Sequence, residues 1–172
     1  MIAKKTPRKK IEMRQAELRQ QVFGEINPKS TWNRLRATGF TTIPRTIPLL
    51  GAIMDGLAGK GKPVSRTYLE LWSRANDDGF AVLSKQHDIA FASGFTTQRA
   101  VSTWKERLRL LEELWFIKTA PGTSGSTHYV QIWNPYLVVK AHREAKTAGF
   151  LTDHYNALFE RMQEIGATDF DD

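Results

Sequence analysis

Few side chains here are spaced for making or breaking bonds. The four histidines, His87, His128, His142 and His154, stand apart, with no H-x-x-x-H pair or nearby carboxylate pattern to gather a metal ion. Asp77-Asp78 runs into Gly79 and reads as a loop that ends a helix rather than as a metal pair. Gly59-Lys60-Gly61-Lys62 has the residue types of a phosphate loop. A P-loop needs G-x-x-x-x-G-K-[ST] after a strand, however, and here the last lysine precedes Pro63, so a helix-to-helix turn is expected. There is no cysteine, which removes disulfides, thiolate metal sites and a cysteine nucleophile, and no G-x-S-x-G. The expectation is a protein without a cofactor and without a catalytic site.

One polar set does share a spacing. Thr96, Thr97, Gln98, Arg99, Ser102, Thr103, Lys105 and Arg109 fall opposite an apolar stripe. Guanidinium, amide and hydroxyl groups in that order suit recognition: Arg and Gln bond planar base edges, and the cations meet phosphate. The competing reading is an ordinary solvated helix face.

The element carrying them has the strongest periodicity in the chain. Val101, Trp104, Leu108, Leu111 and Trp115 recur at spacings of three and four, widened by Ala100 and Leu114, which predicts a helix over residues 96–114 with that stripe buried. Before it, Ala90 and Gly94 have the A-x-x-x-G spacing of two crossing helices. Ala90 allows close approach and Gly94 the positive φ that leaves the first helix. Phe95 is expected to plug the gap, and Thr96 or Thr97 to cap the second helix. After it, residues 116–120 and 128–133 read as strands around a small-residue tip, 121–127. This hairpin brings Lys118, Thr123, Ser124 and Ser126 as further contacts.

Elsewhere the pattern predicts helices over residues 11–23 and 30–38, a helix opened by Pro48, one capped by Ser65 with Tyr68, Leu69, Leu71 and Trp72 inward, and a short strand at 80–83. Two further helices are expected over 136–148 and from Thr152 or Asp153 to 165. Four segments follow: a basic arm and helix (1–42), a central domain (43–134), C-terminal helices (135–166) and an acidic tail (167–172) expected to be disordered. The C-terminal helices either mediate a homodimer or pack on the central domain.

The net charge is +7 and unevenly placed. Residues 1–20 hold seven Lys/Arg against two Glu, including Lys4, Lys5, Arg8, Lys9 and Lys10, while residues 151–172 hold six acids against one Arg. These imbalances cancel, so the residues between carry an excess of +7 that favours a polyanionic partner. No apolar run approaches the ~20 residues of a membrane span, and the first residues are charged rather than apolar, so a cytoplasmic protein without a membrane partner is expected.

LRLLEELWFIKTAPGTSGSTHYVQIWNP resembles the end of the recognition helix and the wing of bacterial winged helix-turn-helix DNA-binding proteins, over roughly residues 86–134. Two positions depart from that family's pattern. Trp115 stands where many members have glycine, and Ala100 stands where a β-branched core residue is usual. More loosely, the chain is similar to small basic proteins of plasmids and other mobile elements. The resemblance implies a mainly α fold with a small β-hairpin wing (α+β), carrying N- and C-terminal helical extensions. It implies binding of double-stranded DNA, as a sequence-specific transcriptional regulator that inserts helix 96–114 into the major groove beside a 116–133 wing. A replication-initiation or partition factor of a mobile element is the alternative, and a winged-helix protein-interaction module a further one.

Overall fold

The structure is a computed structural model that describes residues 7–170, excepting the side chains of residues 7–10 and 12. The chain divides into two compact units, Met1–Thr41 and Thr42–Asp172, so residues 135–166 belong with the central domain.

In the first unit, helix α1 spans Pro7–Phe23, starting earlier than its apolar spacing predicts. Ile11, Leu18 and Val22 fall on one stripe, yet each is more than half exposed (57%, 58% and 61%), so this helix has no core of its own. The helix expected over residues 30–38 does not form. A 3-10 turn at Pro28–Ser30 and a turn at Asn33 replace it. The side chains of Asn27 and Asn33 accept from the amides of Lys29 and Leu35, giving the backbone a local alternative to a helix.

The second unit holds α2 (Ile47–Ala58), α3 (Ser65–Arg74), β1 (Phe80–Val82), α4 (Gln86–Ala92), α5 (Ala100–Glu113), β2 (Ile117–Gly122), β3 (Gly125–Ile132), α6 (Pro135–Glu144) and α7 (Thr152–Ile165). Among the described residues the fold is mixed α/β, with seven α-helices and one antiparallel sheet of order β1-β3-β2. The register sets Ala81 against Val130 and Ile117 against Ile132, whose side chains face the helices and are buried.

Pro48 sits in the first turn of α2, where its missing N–H costs nothing, and Leu50, Ile53 and Met54 are buried. Ser65 does not cap α3, as expected from sequence, but is its first residue. The cap comes from α2: Asp55 Oδ1 accepts from the amides of Val64 and Ser65, and its Oδ2 from the Ser65 hydroxyl. Inside α3 the expectation was half right. Tyr68 and Leu71 are buried, Trp72 is half-buried, and Leu69 is exposed.

Each sheet edge has some of its backbone groups engaged from outside the sheet. Asn76 donates its amide to Phe80 O on the β1 edge, and its Oδ1 accepts from Phe80 N. On the β2 edge, Glu112 accepts from both the amide and the hydroxyl of Thr119.

The C-terminal helices pack on α2. Gly56 and Gly149 allow this, because a Cβ on Gly56 would lie 2.7 Å from Gly149 O. On α6, Tyr136 and Val139 are buried while the apolar residues Leu137, Ala141 and Ala145 are exposed. On α7, Tyr155, Leu158 and Met162 are buried and Phe159 is exposed. No side chain of Thr152 or Asp153 caps α7. The tail is not loose up to Phe170, whose ring is buried against Tyr136 and Tyr155 at 5.6 and 5.7 Å. Apolar burial outweighs the acidic charge beside it.

Glu112 is the titratable link of this frame. Burial pushes its carboxyl up, but hydrogen bonds from Lys118 and Thr119 outweigh that and hold it below the ordinary range. A carboxyl depressed on folding stabilises above its unfolded pKa (~4.3), and the contribution is lost as pH falls through the folded value. Glu112→Gln is therefore expected to cost about 1 kcal/mol at pH 7. In thermal melts that is a loss of about 3 °C, shrinking to nothing as the pH falls below ~4.

Candidate nucleic-acid interface

The turn between α4 and α5 is built by sterics. Gly94 takes φ +93°, and Phe95 N donates to Ala90 O at 3.0 Å, closing the end of α4 over a buried Ala90. A Cβ at Gly94 would lie 2.6 Å from Arg66 Nη1, so the guanidinium that rests against the turn would have to move aside. Residues 96–99 stay in the turn, and α5 begins at Ala100, four residues later than expected. Thr97 Oγ1 accepts from Arg99 N at 3.3 Å, but no side chain caps the helix. Ala100 N donates to Thr97 O, while the amides of Val101 and Ser102 and the positive end of the dipole open beside Thr96, Thr97, Gln98 and Arg99, all exposed.

The buried face of α5 is rotated from the expected stripe. Ala100, Trp104, Arg107, Leu108 and Leu111 are buried, Val101 is half-buried, and Trp115 is 75% exposed. Ala100 is therefore the core position. Ser102 points outward, and Thr103 and Lys105 are half-buried. Ser102 Oγ donates to Arg99 O at 2.9 Å.

The cations on this side divide into two groups. Arg109 is paired with Glu113 one turn on, and Lys118 with Glu112 at 2.9 Å, so the carboxyl half of the helix is locally neutral. Arg99 and Lys105 form no ion pair among the described residues. The positive charge is concentrated at the amino end.

The hairpin is tighter than its composition suggests. Its strands run to Gly122 and Gly125, leaving Thr123-Ser124 as a two-residue turn, with a register shift between Ala120 and Gly122. Ser124 N donates to His128 Nδ1 at 3.2 Å and its hydroxyl to Ser84 O at 3.3 Å, while Gln86 Nε2 donates to Ser124 O and Thr127 O. The tip is strapped to the start of α4, and Thr123 and Ser126 are exposed on it.

The expected site thus falls into two clusters. Thr96, Thr97, Gln98, Arg99, Ser102, Thr103 and Lys105 gather at the end of α4 and start of α5, and Thr123, Ser124 and Ser126 at the opposite end of α4. Arg109 is engaged with Glu113 along α5, and Lys118 with Glu112 between helix and hairpin. Lys4 and Lys5, with the side chains of Arg8, Lys9 and Lys10, lie outside the described residues. The sequence reading passed over Gln86, whose strap spans 38 residues and leaves no local signal, and Arg66, which flanks Gly94 from α3.

Two of the four histidines have structural surroundings, and His87 and His154 are exposed. His128 is buried in the hairpin, and His142 Nε2 donates to Leu114 O at the end of α5. Among the described residues no helix is long and apolar enough to cross a membrane, and no three His, Asp or Glu side chains gather to hold a metal. Compared with family models, curated proteins and solved structures, the chain matches none.

Trp115 keeps φ +67°, donating its amide to Glu112 O while Phe116 N donates to Leu111 O, the hydrogen bonds of a helix end that favours glycine. With the indole mostly in water, Trp115→Gly is expected to stabilise the protein by about 0.5–1 kcal/mol in denaturant unfolding.

Proposed function

We propose that residues 65–133 work as a winged helix-turn-helix that binds double-stranded DNA sequence-specifically. The amino end of α5 enters the major groove, and the β2–β3 hairpin serves as the wing. One observation carries this reading. The buried face of α5 fixes the helix, so that an uncapped amino end bearing Gln98, Arg99, Ser102 and Lys105 projects from the surface. Phosphate suits the open amides and the dipole, and Gln98 and Arg99 suit adenine and guanine edges.

The order helix, strand, helix, helix, hairpin supports the reading, as does the pairing of β1 with the returning strand of the hairpin. So does the charge arrangement, because Glu112 and Glu113 are matched by Lys118 and Arg109 and leave the amino end positive. The basic residues Lys4, Lys5, Arg8, Lys9 and Lys10 add sequence-independent attraction to phosphate.

Gln98→Ala and Arg99→Ala are each expected to weaken binding to a duplex selected by the wild type from a random pool by about 1–3 kcal/mol, with much smaller losses on random duplex. Competition titrations measure both. Unchanged preference in both variants would remove α5 as the reading element.

A further inference from the structure

The turn from α2 to α3, Gly59-Lys60-Gly61-Lys62-Pro63, has features that this reading leaves unused. Gly59 and Gly61 take φ of +88° and +77°, and a Cβ on either would meet open space, so glycine is there for the backbone and not for packing. Gly59 N donates to Gly56 O and Lys62 N to Gly59 O, both at 3.2 Å. No described residue accepts from the amides of Lys60 and Gly61. The turn lines a cleft of about 260 Å³ together with Asp55 and Gly56.

The charges around this cleft are mostly positive. Lys60 and Lys62 are exposed and form no ion pair among the described residues. Asp55, the acid in the lining, is engaged by Val64 and Ser65. Arg107 reaches the turn from α5 with its side chain only 9% exposed. Its Nη2 makes a long 3.5 Å bond to Gly61 O, and Glu106 lies 3.6 Å from Nη1. Its Nε and Nη1 are buried without a hydrogen-bond acceptor. A guanidinium so poorly satisfied is costly to bury, and its positive field falls on the turn above it.

We infer that the Gly59–Lys62 turn is a phosphate-group site. Two free amides in a glycine turn and two lysines hold the oxyanion, and Arg107 is the positioning charge beneath. Arg107, whose guanidinium lies 6.0 Å from the ring centroid of Phe95 in the α4–α5 turn, sets the site on the side of the proposed groove-reading end of α5. Arg107 ties the turn to α5, and Arg66, just beyond it on α3, lies against Gly94. Resting on the DNA reading above, the phosphate belongs to the duplex backbone beside the bases that Gln98 and Arg99 read.

The test uses the full chain, 15N-labelled, titrated separately with inorganic phosphate and with the selected duplex, in the wild type and in the exposed-residue variant Lys60→Gln/Lys62→Gln. Duplex is expected to shift the Lys60 and Gly61 amides saturably. The variant should keep its sequence preference while the slope of log affinity against log salt becomes shallower by about one to two. If inorganic phosphate shifts these amides but no duplex binds, the site stands as one for a free phosphate compound and the DNA reading fails. If the wild type binds duplex while these amides and the salt slope stay unchanged, the phosphate site is wrong and the DNA reading survives. If neither ligand binds, both fail.

Discussion

The constraint on which the rest depends is the burial of one face of α5. Trp104, Leu108 and Leu111 are fully removed from water, each worth roughly 2–3 kcal/mol against exposure. Because a helix turns 100° per residue, fixing those three fixes every other side chain on it. Ala100 has to be small because it sits at the start of that face, inside the core. Ser102 then points outward, and Arg107 is forced inward beneath the α2–α3 turn. The outward chemistry of the amino end follows from what the helix buries.

Around that helix the frame is tied by polar links between elements distant in sequence. Asp55 of α2 caps α3, Glu112 of α5 holds Thr119 at the edge of β2, His142 of α6 bonds the carbonyl of Leu114 at the end of α5, and Gln86 of α4 fastens the hairpin turn. Each link serves backbone groups that a helix end or strand edge leaves without a partner. Glu112 also occupies part of the β2 edge of the small sheet, as Asn76 does on the β1 edge. The hairpin turn and the amino end of α5 are therefore held rigidly at opposite ends of α4, a geometry suited to two separate contacts on a long polyanion.

Where local periodicity decides structure, the sequence was readable. The three-four stripe located α5, the β-type runs flanking residues 121–127 located the hairpin, and the helix expected from residue 136 begins at Pro135, where Asn134 accepts from Tyr136 N. The phase of α5 was off because Val101 and Trp115 match the apolar spacing while the core selects Ala100 and Arg107. A buried arginine has no signature in hydrophobicity. The start of α5 was off because Phe95 N is spent closing α4, which keeps the next residues in a turn. Links such as Asp55 to Ser65 or Gln86 to Ser124 exist only once the chain is folded. Of the expected cations, Arg109 is matched by Glu113 four residues on along the same helix, whereas Lys118 meets Glu112 only because β2 lies beside α5.

Fluorescence anisotropy of the full chain with labelled duplex decides whether α5 is a DNA-reading helix. Random duplex and DNA flanking its own gene are compared at low and at physiological salt. Binding is expected to weaken steeply with salt and to prefer one duplex over the other at both concentrations. No binding to either duplex at low salt would contradict that role, and would leave the exposed amino end of α5 to be explained as a surface for another protein.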